Sequence, residues 1–367
     1  MRAAEYYPVI VITGPRQSGK STLCRHLFDG YSRYNFEDVS LRQRVAEDPK
    51  AFLANAGAKV VIDEVQQVPE LFSYLQIEVD ENPDRQFILT GSSNFSLMER
   101  ITQSLAGRAA LFNLLPFALN ELGDYKQNST DHILLNGLYP SVVTKARPVD
   151  LFYSNYYSTY VERDVRQIKN INNVAQFQRF IQLAAGRIGT EFNATSLAME
   201  VGVSAPTISS WISILQTSYV VLMLQPFHAN INKRLTKSPK LYFYDTGLAC
   251  FLLGIETVGQ LAVHPLRGSI FENLAVVELI KESANQGKRP NLFFYRENAG
   301  READMLQIKG DKIDIYEVKS ASTYNPSFQK NLKYLNGLFP DMIGRKTVVY
   351  DGDNIPPDII NIRDLAK

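Results

Sequence analysis

Residues 11–22 read VITGPRQSGKST, and Gly14 to Ser21 fit the pattern G-x-x-x-x-G-K-[ST]. The pattern restricts the fold because each part has a mechanical job. Val9–Ile12 are a β-branched run of the kind buried in a parallel strand. Gly14 and Gly19 let the loop turn and let backbone N–H groups approach phosphate oxygens. Lys20 supplies a point charge for the β- and γ-phosphates, and the Ser21 hydroxyl can ligate Mg²⁺. A helix expected over Ser21–Phe28 aims its positive end at the anion. Gly14, Pro15, Arg16, Gln17, Ser18, Gly19, Lys20, Ser21 and Thr22 are therefore the candidate ATP-binding residues.

The rest of the first third alternates short strands with helices. Strands are expected at 9–13, 33–36, 59–63, 86–90 and 109–113, with helices at 40–56, 69–80 and 95–105. That alternation predicts a parallel sheet with right-handed crossovers. Little precedes the first strand, so the usual lead-in reads as short. With 367 residues the chain exceeds one ordinary core. Four segments are expected: an α/β phosphate-loop core over 1–117, a helical lid over 118–186, a winged helix–turn–helix over 187–228, and an α/β C-terminal domain over 229–367.

Net charge is +1, so no global field draws the chain to nucleic acid and any such surface must be local. Cys24 and Cys250 are the two cysteines, far apart, which excludes a disulfide framework and fits a reducing compartment. No apolar run reaches the length of a membrane span and no charged-then-apolar leader opens the chain, so a cytoplasmic protein without membrane contact is expected.

The strand Val60-Val61-Ile62 ends in Asp63-Glu64. Phosphate-loop enzymes need an acid at this strand end to hold the Mg²⁺ shell, and a second to orient and deprotonate water. Asp63 takes the first role and Glu64 the second. The strand 86–90 ends in Gly91-Ser92-Ser93-Asn94. If it lies between the two phosphate-site strands, its tip reaches the γ-phosphate, and Ser92, Ser93 and Asn94 all qualify as sensors; a plain turn is the alternative.

These features resemble the AAA-type ATPases, in the branch whose C-terminal half is labelled a domain of unknown function. The matching residues are GPRQSGKST at 14–22, VVIDEVQQVP at 60–69, ILTGSSNF at 88–95, SLAGRAALFNLLPF at 104–117, GLYP at 137–140, YVERDV at 160–165 and KLYFYDTGL at 240–248. The resemblance implies ATP hydrolysis with Mg²⁺, and arginines that reach the γ-phosphate. Arg108 and Arg163 are the candidates, within one subunit or across a homo-oligomer. A local ion pair on a helix face is the alternative for Arg163.

In the middle, helices Leu197–Val201 and Ala205–Gln216 around Gly202-Val203-Ser204, then strand Tyr219–Gln225, read as a winged helix. The outward face of the second helix offers hydroxyls and Gln216, not the common base readers. Lys233, Arg234, Lys237 and Lys240 crowd an acid-free stretch that can grip DNA phosphates. Packing against the rest of the protein is the competing reading.

Residues 302–319 read EADMLQIKGDKIDIYEVK. Gly310-Asp311 suits a two-residue hairpin turn. That turn sets Lys309 against Lys312 and Asp304 against Glu317. Leu306, Ile308, Ile313 and Ile315 then share a face with Asp304, Glu317 and Lys319. Opposed carboxylates destabilise a sheet unless compensated, by Lys319 or by a divalent metal. The order of helix 270–284, strands 292–297, 302–309 and 312–318, helix 326–338 and strand 345–350 resembles the PD-(D/E)XK nucleases, or restriction-endonuclease-like fold. The resemblance implies metal ligation by Asp304 and Glu317, with Glu272 as an extra acid, and catalysis through Lys319. A fold that binds nucleic acid or protein without cutting is the alternative.

Overall fold

The structure is a computed structural model that describes residues 2–92, 100–101, 103–145, 147–165, 173–227, 238–297 and 301–365, with the backbone alone for 162–165. The chain divides into two compact units, Met1–Leu115 and Pro116–Lys367.

The N-terminal unit holds a five-stranded sheet of β1 (Val9–Thr13), β2 (Ser32–Asn35), β3 (Lys59–Asp63), β4 (Gln86–Gly91) and β5 (Ala109–Asn113), in the order β2-β3-β4-β1-β5. Every pairing is parallel. Apolar side chains leave both faces of the sheet. Val9, Val11, Val60, Ile62, Phe87 and Leu89 enter one core; Ile10, Ile12, Val61 and Ile88 enter another with Cys24 and Phe28. Such two-sided burial is why these strands read as continuous apolar runs. β4 lies between β1 and β3, as the sensor reading requires.

The expected helix over 40–56 is two helices, Val39–Glu47 and Pro49–Asn55. Proline at 49 pushes Asp48 out of the helical region, to φ −142° and ψ 80°. The Asp48 carboxylate then caps the second helix by accepting from Ala51 N.

In the second unit the chain between 149 and 165 is helical, within the span read as a helical lid. It widens from the α-helix Val149–Tyr156 into π-helical turns over Tyr157–Val165. Helices Ala194–Val201 and Ala205–Thr217 flank a turn in which Gly202 takes φ 81°. The next strand, β6 (Val221–Pro226), starts later than the sequence suggests because Tyr219 has φ 54°. β6 pairs antiparallel with β7 (Lys240–Phe243) and parallel with β8 (Leu292–Arg296). With β9 (Glu302–Lys309), β10 (Lys312–Lys319), β11 (Ile343–Tyr350) and β12 (Ile359–Asn361) they form a seven-stranded sheet, β12-β11-β10-β9-β8-β6-β7. The helix–turn–helix segment and the C-terminal strands therefore share one sheet. No helix among the described residues is long and apolar enough to cross a membrane.

A buried carboxylate locks this unit. Asp245, 4% exposed, accepts from Tyr153 Oη at 2.6 Å, Leu138 N at 2.8 Å and Leu248 N at 3.0 Å. It thus ties the 137–140 and 240–248 motifs to helix Val149–Tyr156. Gly137, at φ 66°, has no room for a Cβ, which would meet Tyr153 Oη at 2.1 Å. Asp245→Ala would orphan the Leu138 and Leu248 N–H groups, each worth roughly 1–3 kcal/mol when buried, while the Tyr153 hydroxyl keeps the Asn136 carbonyl at 2.9 Å. We expect a loss of about 3 kcal/mol or more in this unit, read as a lower urea midpoint at unchanged slope.

Candidate nucleotide site and C-terminal acid cluster

β1 delivers the chain into the loop at Gly14, whose φ is 148° and whose Cβ would sit 2.1 Å from the Leu114 carbonyl oxygen. Gln17 and Gly19 also take positive φ, 64° and 99°. Such turns point successive N–H groups into one concavity, which favours an anion. Helix Lys20–Leu27 starts there. Lys20 is 6% exposed, and its ammonium donates to the carbonyls of Gly14 at 3.0 Å and Pro15 at 2.8 Å. Burial lowers its pKa to about 8, against the pull of Glu64 and Asp63. The Ser18 hydroxyl is buried with no hydrogen-bond partner among the described residues. A lysine spent on loop carbonyls and an orphaned buried hydroxyl are groups that a phosphate would satisfy, so the residues present fit ATP.

Asp63 ends β3 and accepts from Ser21 Oγ at 2.5 Å and from Thr90 Oγ1. Thr90 was not legible as a site residue. Its signal is the parallel register, Ile62↔Leu89, which sets it beside Asp63. Two hydroxyls on one carboxylate make an oxygen-rich pair with Ser21, which fits Mg²⁺. Glu64 stands in the left-handed region at φ 55° and accepts from Ser92 Oγ at 3.0 Å and from Gln66. Of the three sensor candidates Ser92 therefore contacts the second acid; Ser93 and Asn94 lie outside the described residues.

Arg108 is placed away from this site within its own unit. It precedes β5, and its carbonyl accepts from Val9 N at the start of β1. The register pairs Val9 with Ala109 and Thr13 with Asn113. About 3.3 Å per residue puts the phosphate loop on the order of 15 Å further along. Its guanidinium grips Asp80 bidentately, at 2.6 and 2.7 Å. The side chain of Arg163 lies outside the description.

In the second unit the hairpin has the expected register, Lys312↔Lys309 through Tyr316↔Met305, with Gly310 at φ 65° in the turn. Extended by one residue, this register would oppose Asp304 to Glu317. Lys319 Nζ lies 2.7 Å from Glu317 Oε1 and 3.7 Å from Asp304 Oδ2. Asp304 also accepts from Val318 N at 2.7 Å, and Asn331 donates to Glu317 at 3.2 Å. Glu272, on helix Arg267–Asn285, accepts from Tyr242 Oη at 2.5 Å and Lys240 at 3.1 Å.

Lys240 requires a correction. It is no DNA-gripping surface residue: it is 4% exposed on β7 and ion-paired with Glu272 and Glu302. The carboxylates hold the cation because a buried ammonium needs them. Burial works against its charge, but Glu272 and then Glu302 outweigh it and raise its pKa. Lys233, Arg234 and Lys237 lie outside the described residues.

Glu272, Asp304 and Glu317, the acids for which the sequence suggests metal ligation, lie beside lysines. Among the described residues no group of three or more His, Cys, Asp or Glu is placed to hold a metal ion. Ammonium groups pair with these acids: Lys319 bridges Asp304 and Glu317, and Lys240 faces Glu272. The residues as arranged fit an ion-paired cluster. Burial, then repulsion from Asp304, raises the pKa of both Glu272 and Glu317, against the lysines. Burial raises Asp304 as well.

Strand order, phosphate loop and acid pair together define a phosphate-loop ATPase domain joined to a second α/β unit. Residues 6–123 match the family model described as an AAA domain, and residues 127–258 and 267–365 match two domains of unknown function, DUF8612 and DUF4143. The chain is 31% identical over 360 residues to uncharacterized proteins of Mycobacterium tuberculosis and Mycobacterium bovis, covering 96% of this chain and 78% of theirs. It belongs to their family, and carries an AAA domain and a C-terminal DUF4143 domain. An uncharacterized protein of Methanocaldococcus jannaschii is 22% identical over 84% of this chain and 74% of its own. Among solved structures, a Walker-type ATPase of Pyrococcus abyssi overlaps 68% of this chain and 93% of its own, with TM-score 0.41 and 16% identity.

The Glu317 carboxyl titrates near 4.5 when unperturbed and at about 7 in the fold. Above 4.5 the unfolded chain releases this proton while the fold retains it, so the wild type loses stability as pH rises to about 7. Glu317→Gln removes this titration. Its stability relative to wild type should therefore rise across that window, measured as the difference in urea midpoints.

Proposed function

We propose that the N-terminal unit binds ATP with Mg²⁺ at Gly14–Thr22 and hydrolyses it, and that its nucleotide state switches the C-terminal unit. One observation carries this reading: Asp63 is held between the Ser21 and Thr90 hydroxyls, with Glu64 next to it on Ser92. Lys20 and the loop amides would bind the β- and γ-phosphates. Ser21 and Asp63 would hold Mg²⁺, which neutralises charge on the phosphate oxygens. Glu64 would accept a proton from the attacking water, and Ser92 orients its carboxylate. Arg108 sits at the wrong end of the sheet to act on its own subunit's nucleotide, so a finger role for it requires a neighbouring copy.

Lys20→Ala should abolish ATP binding or turnover. Glu64→Gln should bind ATP but turn over about a hundredfold or more slower, the range of a lost general base. Phosphate release and nucleotide binding are the measurements; ordinary turnover in both variants would end the ATPase reading.

A second reading, of nucleic-acid cleavage, is favoured by the ion pairs that Lys319 makes with both Asp304 and Glu317 at the end of the hairpin. An order of elements that resembles the restriction-endonuclease-like fold, and a helix–turn–helix followed by strand β6, are what support contact with DNA. Divalent-metal-dependent cutting of plasmid or single-stranded DNA, lost in Asp304→Ala and Glu317→Ala, would establish it. Absence of cleavage and of salt-sensitive DNA binding would leave the switch, with the C-terminal unit recruiting a protein.

A further inference from the structure

The chain passes from the phosphate loop to the second unit through a segment anchored at both ends. On the N-terminal side, Leu114 donates its N–H to the Thr13 carbonyl at 2.8 Å, and Thr13 Oγ1 donates to Asn113 Oδ1 at 2.6 Å. The Leu114 carbonyl lies where a side chain on Gly14 would collide with it. Any rearrangement of the first residue of the phosphate loop is therefore felt at Leu114.

On the other side, Phe117 N donates to the Leu138 carbonyl at 3.0 Å. The carbonyl of Phe117 accepts from Lys281 Nζ at 2.7 Å, and Leu119 N donates to Glu278 Oε2 at 2.7 Å. Glu278 and Lys281 pair with each other at 3.0 Å, with side chains 0% and 2% exposed. Burying two charges is expensive, and removal of either partner leaves an uncompensated charge. Here both also hydrogen-bond to the backbone of 117 and 119.

Only Leu115 and Pro116 stand between these anchors. Proline fixes its own φ and confines the residue before it to extended conformations. The connection is therefore two residues long, one of them a proline. The helix that carries the clamp, Arg267–Asn285, also carries Glu272 and is tied at its start by Arg267, which donates to the Ser320 carbonyl at 2.7 Å, directly after Lys319.

We propose that the Glu278–Lys281 pair is a clamp through which the nucleotide state of the phosphate loop is passed, by way of Leu114–Leu119, to helix Arg267–Asn285. The inference rests on ATP binding at Gly14–Thr22 and names how that binding would control the second unit. It requires no new ligand, only that Leu114 shift when the loop engages phosphate.

Hydrogen exchange followed by mass spectrometry on the full chain tests it, with and without a non-hydrolysable ATP analogue and Mg²⁺. In the wild type, the analogue should slow exchange at 14–22 and change exchange at 117–119 and 267–281 by about fivefold or more, the lower end of ordinary allosteric coupling. Inserting Gly-Ser-Gly-Ser between Leu115 and Pro116 should keep the first effect and abolish the second. Glu278→Gln with Lys281→Met, which removes both charges together, should do the same; the insertion leaves the buried pair intact and decides the matter should that double variant not fold. Protection at 14–22 without any change at 117–119 and 267–281, or an insertion variant that responds like wild type, overturns the clamp while leaving ATP binding in place. No effect at 14–22 in the wild type overturns the binding reading and the clamp with it.

Discussion

At the end of β1 the Gly14 backbone lies so close to the Leu114 carbonyl that a Cβ would stand 2.1 Å from its oxygen. Glycine satisfies two demands there, a φ of 148° and a contact between backbones. The contact holds the start of the phosphate loop against the end of β5. Everything chemical in the N-terminal unit is arranged from that fixed end. Lys20 turns back onto the loop carbonyls, Ser21 reaches Asp63, and β4 brings Thr90 and Ser92 to the two acids.

The second unit is organised by buried charge. Asp245 gathers three segments, Glu278 and Lys281 hold the chain just after the junction, and Lys240 and Lys319 balance four carboxylates around the hairpin. Each charge is ion-paired or, at Asp245, hydrogen-bonded, as burial demands. Such pairs add little net stability relative to apolar packing, but they are costly to break singly. They therefore specify which segments meet.

Much of this was legible in the sequence where a local rule governs. Parallel strands buried on both faces read as apolar runs, and the three inner strands of the first sheet, β1, β3 and β4, follow from that. The hairpin register follows from Gly310-Asp311 and a side-chain period of two. The split of the 40–56 helix at Asp48-Pro49 was legible in principle, since proline restricts the residue before it. Lys240 was not. Its basic neighbours suggest a solvated loop, and its carboxylate partners at 272 and 302 are brought to it only by the folding of β7 beside the C-terminal strands. Thr90 was missed for the same reason, because its role depends on the register between β3 and β4.

The account stands on the claim that Asp63, braced by Ser21 and Thr90, completes a site for ATP and Mg²⁺. Equilibrium binding of a fluorescent ATP analogue to the full chain, with and without Mg²⁺, tests it most directly in wild type and in Asp63→Asn. The account predicts tight binding that weakens about tenfold or more, some 1.4 kcal/mol, when either Mg²⁺ or the Asp63 charge is removed. Equal affinity in all conditions, or equal affinity for adenosine without phosphates, would contradict it.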